Sequence, residues 1–372
     1  MSARVIVVGG GIGGLAVGAA LAGRGVRCLV LERNAAPSTA GGGIQIAPNG
    51  SAVLHRLGLG RELAGASRPA ARELRRWRDD RTIGAVELGG AAEHRYGTPY
   101  YALRRAELSR MLLAAARRHG EVRLGAPCVA VEDLGDRAAV RLADGSRMTA
   151  DVVVGADGLR SAARRAIVAD QLRYSGYVVY RGLVPAQRLP QHSDRVVVRL
   201  GPGRHCVSYP VDGGRTISVV AAVAVPDPPP AARGVPADEV LAAFSGWHPA
   251  VRKLLAAARR FDRHGLFDRH RPAWRNGRVV LLGDAAHPLL PFLAQGACQA
   301  LEDAAAFAET GLAGYEEARA ARRARVAAAS RVGIRDHHLD DGPEQRDRDA
   351  RLAAAGLPSH DWLYGHGSAV RA

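Results

Sequence analysis

Four short stretches carry the residues best suited to chemistry. The first is Gly9-Gly10-Gly11-Ile12-Gly13-Gly14, a GxGxxG pattern on Gly9, Gly11 and Gly14 with Gly13 beside them. Such glycines let the backbone turn tightly against a pyrophosphate, and the helix that follows offers free N–H groups and partial positive charge. Glu32 stands 23 residues after Gly9 (32 − 9), where a carboxylate can bind both hydroxyls of a ribose. The pattern alone does not separate FAD from NAD. The second stretch, from Asp151 to Ser161, is an apolar run ending in Asp157-Gly158. Asp157 there reads either as a ligand-binding acid or as an ordinary helix N-cap. The third runs from Val279 through Asp284 and His287 to Gly296 and Ala297. An Asp at a strand end can hold a polyol hydroxyl, and a Gly at a helix start can present N–H groups to a carbonyl. The fourth is Arg204-His205-Cys206-Val207-Ser208-Tyr209. Its His and Tyr are four apart, so a regular strand points both to one face. A neutral imidazole there can take a proton from a bound hydroxyl. Equally, a strand His and Tyr can be packed and hydrogen-bonded with no further role.

These residues need particular elements beneath them. Residues 4–8 form a β-branched run that ends in glycine, 13–24 an Ala/Leu-rich helix, and 26–31 a second apolar run. That is one βαβ unit with a parallel sheet. Residues 107–118 read as a helix, 128–132 and 138–142 as strands, with a further strand to 155. Between 173 and 225, apolar runs alternate with Gly/Pro turns and no helix intervenes, the pattern of an antiparallel sheet. Residues 278–282 return to a buried strand, 296–309 to a helix, and 312–331 to an Arg-rich helix. Residues 336–351 read as a loose, charged surface segment, with His337 and His338 solvated.

The expected fold is α/β: a three-layer Rossmann-like domain for FAD or NAD(P), an inserted antiparallel β-sheet substrate lobe, and C-terminal helices. The expected boundaries are 1–172 and 271–335 for the dinucleotide domain, 173–270 for the β lobe and 336–372 for a tail.

The 372 residues are 47% hydrophobic, ample for a core, with only 5% aromatics. The net charge of +16 is almost wholly arginine, since Lys253 is the single lysine. The arginines are spread through every element, so they argue for a cationic surface and against a nucleic-acid stripe. Cys28, Cys128, Cys206 and Cys298 form no CxxC pair, and no metal-ligand spacing is found. No apolar run reaches membrane-helix length. A cytoplasmic protein, monomer or homodimer, without integral membrane association is expected.

Taken together, the three dinucleotide-type stretches resemble the group A flavoprotein monooxygenases, single-component hydroxylases of the salicylate, 3-hydroxybenzoate and 6-hydroxynicotinate type. Gly43-Ile44-Gln45-Ile46-Ala47-Pro48-Asn49, Arg105-Ala106-Glu107-Leu108, Tyr180-Arg181-Gly182-Leu183-Val184-Pro185 and Asp361-Trp362-Leu363-Tyr364 agree with it. The resemblance implies FAD, with NAD(P)H and O2 as co-substrates and a flavin C4a-hydroperoxide that hydroxylates a small aromatic substrate. It implies that Gly9, Gly11, Gly13 and Gly14 cradle the pyrophosphate and that Glu32 and Arg33 face the adenosine ribose. Gln45 would lie near the isoalloxazine and Arg105 at the pyrophosphate or ribityl chain. Asp157 would serve both FAD and NAD(P)H, Asp284 the ribityl, and Gly296 and Ala297 the flavin pyrimidine. His205 and Tyr209 would meet the substrate hydroxyl as catalytic residues, and His287 would be structural. The chain departs from the pattern at Pro291-Phe292, at Gln45 where 6-hydroxynicotinate hydroxylases carry His, and in a short 306–315 segment. Two rivals stay open: an epoxidase or tailoring oxygenase of the same fold, and a non-catalytic flavin-binding regulator.

Overall fold

The computed structural model describes residues 5–37, 41–355 and 360–366. Arg4, with which the first strand was expected to begin, lies outside them, as does part of the expected tail. Val5–Val8 and Cys28–Leu31 are short, fully buried strands. Both pair parallel in a six-stranded sheet whose order runs from Arg275–Asn276 through Val279–Leu281, Val152–Gly155, Val5–Val8 and Cys28–Leu31 to Glu121–Arg123. Only the two-residue edge strand is antiparallel. Burial on both faces explains why these strands read as unbroken Val/Leu runs rather than as alternating ones. Helices Ile12–Ala22, Arg105–Arg117 and the start of Gly296–His337 cover one face. The antiparallel strands Cys128–Asp133, Ala138–Leu142 and Arg147–Ala150 cover the other. That is the expected three-layer arrangement.

The second sheet has eight strands. Arg173–Pro185, Thr216–Ala224, Arg204–Val211 and Val196–Gly201 follow one another antiparallel, as the Gly/Pro-punctuated runs imply. Helices Ala237–Ala243 and Pro249–Ala258 pack on its outer side. The expected boundaries need amendment here. Ala71–Arg76 pairs parallel with Val196–Gly201, and Thr82–Glu87 follows it at the edge. This sheet therefore takes two strands from the stretch assigned to the dinucleotide domain. Their Arg/Glu-rich sequence hid them. The charges are matched inside the fold, where Glu73 accepts hydrogen bonds from Arg75 and Arg195 and Asp80 accepts one from Arg199.

At the C-terminus one expectation holds and one is corrected. The helices expected at 296–309 and 312–331 are distinct: the helical run Gly296–His337 is broken at Gly311 (φ 66°, ψ −165°), between the two expected segments. It continues past 331, so His337 belongs to its last turn. Residues 336–351 are not a loose segment: Pro343–Ala355 is a helix that buries Gln345, Arg348 and Asp349. Arg348 binds both Asp349 and the Asp336 carbonyl, so the charges that looked solvated satisfy one another.

One buried network ties the long helix to the rest. Arg319, 1% exposed, donates to Asp303 (2.7 Å), Glu302 (2.5 Å) and the Gln299 side chain (2.7 Å). Asp303 accepts the Gly283 N–H at 2.9 Å, and Glu302 accepts Asn49 at 2.6 Å. Despite burial, charge partners hold Asp303 well below the usual carboxylate range. Removing one member of such a buried set strands the others and costs about 3–5 kcal/mol. Arg319→Met is therefore expected to lower unfolding stability by about that amount. Urea denaturation at neutral pH checks it, and a loss under about 1 kcal/mol would contradict the assignment.

Candidate active site

The turn after the first strand is shaped by contact distance. Gly9 has φ 107°, and a Cβ on it would lie 2.5 Å from the Ala156 carbonyl oxygen. A Cβ on Gly14 would lie 1.9 Å from the Gly9 carbonyl oxygen. These two glycines let helix Ile12–Ala22 sit directly on its strand. Gly11 differs: a Cβ there would meet nothing within 4 Å, because its backbone faces an open groove.

The groove has two connected halves. The first, about 390 Å³, runs between the glycine turn, Glu32, Arg33 and Asp157. The second, about 300 Å³, lies between the start of helix Gly296–His337 and the face of the large sheet. Gly11, Ile12, Arg105, Ala156 and Gly158 line both. A third cavity of about 300 Å³ opens further in and shares Gln45, His205, Val207, Pro291 and Ala294 with the second. A long cofactor thus has a path from Glu32 to His205, with a smaller chamber beyond its far end.

The structure brings the expected residues onto this path with one exception. Gly9, Gly11, Glu32, Arg33, Arg105 and Asp157 line the first half, and Gly11, Gly13, Gln45, Arg105, Asp284, Gly296 and Ala297 the second. Gly14 does not reach the groove and serves helix packing instead. Asp157 faces the groove, but its carboxylate is engaged in capping: it accepts Ser161 Oγ (2.5 Å) and the N–H groups of Ala162 (2.6 Å) and Ala163 (3.1 Å). The carboxylate caps the turn, as the N-cap reading of Asp157 expects. Glu32 accepts Gly10 N–H at 2.7 Å and Asn34 Nδ2 at 2.6 Å, which fixes it at the rim. Asp284 opens to the groove rather than to bulk water. The protein around it raises its carboxyl above the usual range, while Arg105 and His287 act the other way. His287 lies away from the groove, 1% exposed and 2.8 Å from Asp303, as a structural residue should.

His205 and Tyr209 do share a face, with Val207 between them, and all three line the second half. Both are buried. Burial pushes the Tyr209 phenol up, opposed by hydrogen bonds with Ser218 and Gln45. Gln45 in turn accepts Tyr100 Oη at 2.8 Å. Burial, with His337 and His338 adding to it, holds His205 well below the usual imidazole range, so it is neutral at pH 7.

Other residues of the site were missed. His337 and His338 are not solvated: burial lowers His337 to about 3 and His338 to about 4. His337 lines the inner chamber, and His205 Nδ1 lies 2.8 Å from His338 Nε2. Arg72 lines the same chamber beside Leu74, two residues on along the same strand. Its Nε is buried and unpartnered, and its Nη2 is 3.4 Å from His360 Nε2. The even spacing of Arg72 and Leu74 was the available signal. Arg181 reaches the second half, where burial lowers its pKa.

The donor set fits FAD. Gly11 and Gly296, at the two helix starts, each leave room where a Cβ would stand, and a helix N-terminus with a bare backbone suits phosphate or carbonyl oxygen. A parallel sheet with a glycine turn, an acid at the rim and a second helix start along one groove suits a flavin-binding oxidoreductase. The chain belongs to the FAD binding domain family, which matches residues 2–324. It is similar to a 3-amino-4-hydroxybenzoate 2-monooxygenase of Streptomyces cremeus, 45% identical over 97% of this chain and 95% of the relative. It is also similar to 3-hydroxybenzoate 6-hydroxylase 1 of Aquipseudomonas alcaligenes, 37% identical over 89% and 88% of the two chains. Among solved structures, Klebsiella pneumoniae HpxO complexed with FAD and uric acid superposes with TM-score 0.83 at 28% identity, covering 98% of this chain and 95% of that one. The chain is accordingly an FAD-dependent monooxygenase that uses NAD(P)H. Among the described residues no helix is long and apolar enough to cross a membrane.

Two expectations follow. Gly11→Leu should leave folding intact, since the side chain enters empty space, yet exclude the cofactor. The purified variant is expected colourless with a circular dichroism spectrum like the parent's, and a full flavin complement would contradict the groove assignment. Second, His337 and His338 are neutral when folded but take protons near pH 6.5 when unfolded. Their contribution is complete above pH 6.5 and is lost as pH falls toward 4, on the order of 1 kcal/mol per site per pH unit. Urea midpoints measured from pH 7 to 4.5 should fall less steeply in His337→Phe than in the parent.

Proposed function

We propose that this monooxygenase hydroxylates the ring of a small aminohydroxybenzoate or a closely related hydroxylated aromatic acid. The carrying observation is the inner chamber, where one wall offers His205 and another the guanidinium of Arg72. Leu74, Val196, Val198, Leu200, Val207 and Phe292 make the space between them apolar. A ring fills such a space, a carboxylate pairs with Arg72, and a hydroxyl meets His205 or Tyr209. The 45%-identical relative is named for 3-amino-4-hydroxybenzoate, a ring with these groups.

Bound in the groove, FAD supplies hydride acceptance from NAD(P)H and the activation of O2. The chain supplies the rest. Gly9, Gly11, Gly13, Glu32, Arg33 and Arg105 hold and orient the cofactor toward the chamber, with Asp157 fixing the turn at the groove wall. Asp284, Gly296 and Ala297 hold its far end, and Gln45 sits between cofactor and chamber. Neutral His205 takes the substrate hydroxyl proton at a ring nitrogen, which makes the ring electron-rich, and Tyr209 orients the same oxygen. The apolar wall keeps water away while oxygen is transferred. A non-phenolic substrate would give the cavity-side nitrogen of His205 no hydroxyl to meet.

A charge-assisted hydrogen bond is worth about 1.5–3 kcal/mol, which is roughly 10- to 100-fold in affinity. Arg72→Met is therefore expected to raise KM for 3-amino-4-hydroxybenzoate by about that factor. The corresponding aminophenol, which lacks the carboxylate, should be affected little. Steady-state NAD(P)H oxidation with product identification checks it. Equal losses on both compounds would remove Arg72 from substrate recognition.

A further inference from the structure

His205 does not stand alone. Its Nδ1 lies 2.8 Å from Nε2 of His338, just past the end of the long helix. His338 is held from several sides. Tyr177 stacks on its ring at 4.4 Å and 20°, and Phe292 meets it edge-on at 5.5 Å. The His338 carbonyl accepts the Gly203 N–H at 3.1 Å, two residues before His205. The fold therefore fixes both rings of the pair.

The direction of that hydrogen bond can be worked out. Two neutral imidazoles in contact need one N–H and one lone pair between them. The groups acting on His205 are His337 and His338, and no carboxylate is among them. His338 Nδ1 is buried with no group in strict hydrogen-bond geometry, and the backbone group that acts on the ring is the Ile334 carbonyl, one helical turn back. A carbonyl only accepts, so the arrangement that satisfies it puts the His338 proton on Nδ1 and leaves Nε2 as the lone pair. His205 must then carry its proton on Nδ1. Its Nε2, which has no partner among the described residues, is left as the lone pair on the cavity side.

We infer that His338 is a positioning residue that accepts the Nδ1 proton of His205 and so keeps Nε2 of His205 available to take the hydroxyl proton of the substrate. This rests on the reading of His205 as the base. The substrate O–H bond breaks, its electron pair stays on oxygen, and the proton forms an N–H bond on His205. The resulting imidazolium shares its charge with His338 through the 2.8 Å contact, and the proton returns to the product oxygen. No redox change occurs in either ring. The partner is a neutral imidazole rather than a carboxylate, so the base stays weak, and a substrate hydroxyl already acidic by phenol standards suits it. His337, which Arg72 and Arg348 also face, lines the chamber instead and is not part of the relay.

The test uses the flavin-loaded enzyme with 3-amino-4-hydroxybenzoate. His338→Phe keeps the ring stacking and removes the acceptor, so kcat at pH 7 is expected to fall at least 30-fold. The deficit should shrink as pH rises toward the phenol's own ionisation, where no base is needed. His338→Gln presents an amide oxygen to His205 Nδ1 and is expected to stay within about 3-fold of the parent. His338→Glu places a carboxylate there and should move the acid limb of the kcat/KM profile up by at least one pH unit. A merely structural role predicts neither the rescue nor the shift. Full activity in His338→Phe, or a loss in all three variants that does not change with pH, overturns the inference. Should His338→Phe lose its flavin, the His338→Glu profile decides: an unmoved acid limb overturns it. His205→Asn separates the two claims. If that variant turns over normally, His205 is not the base. If it is slow while His338→Phe is normal, only the role of His338 fails.

Discussion

Arg319 is a cation almost sealed from water, and the placement of the groove depends on it. By bridging Asp303 and Glu302, together with Arg322 on Glu302 and His287 on Asp303, it helps two adjacent acids on one helix remain charged inside the protein. Those acids then reach outward. Asp303 fixes the Gly283 backbone next to Asp284, and Glu302 fixes Asn49 next to the strand that carries Gln45. The N-terminus of the long helix, the acid expected at the ribityl and the glutamine at the chamber are thus referenced to one guanidinium. A buried ion pair is weak evidence for stability, but it is a strong constraint on geometry, because any displacement leaves a charge without a partner. Hydrophobic packing alone would let the helix slide along the sheet. The network does not.

The same economy recurs around the chamber. The large sheet presents His205, Val207 and Tyr209 from one strand and Val196, Val198 and Leu200 from the next, each at alternate positions. A pleated face of this kind makes an apolar wall with a few polar groups at fixed spacing, which is what orienting a flat ring requires. The far end of the long helix then closes the chamber with His337 and, behind it, His338. One helical run, broken at Gly311, therefore touches both ends of the site: its first residues line the half with Asp284 and its last the inner chamber.

Much of this was legible in the sequence, and the reason is backbone geometry. Gly9, Gly14 and Glu32 could be read because a strand-turn-helix around a dinucleotide leaves few alternatives at those positions, and the contact distances at Gly9 and Gly14 show why. His205 and Tyr209 could be paired because a strand has period two. What failed was the reading of charge. Residues 71–76 and 336–351 are rich in Arg, Asp and Glu, and such composition normally marks solvent. Here the charges are answered from distant segments: Glu73 by Arg195, Asp80 by Arg199, and Asp349 by Arg76. A single sequence shows no such pairing, because it is made by the fold. Arg72 and His338 were hidden for the same reason, although one is the cation of the chamber wall and the other the partner of the base.

The imidazole pair also bears on why the chamber can be both dry and reactive. A carboxylate behind His205 would strengthen the base but would bring a buried negative charge close to a site that must receive an anionic substrate. A second imidazole avoids that. It sets the tautomer of the first without adding charge, and it costs less to bury than an ion. The chamber wall carries Arg72, Arg348 and Arg351 together with Asp336, while no carboxylate acts on His205 itself. On the proposed reading, a neutral imidazole pair at the base, with arginines elsewhere on the walls, would let one small cavity hold an anion and still accept its proton.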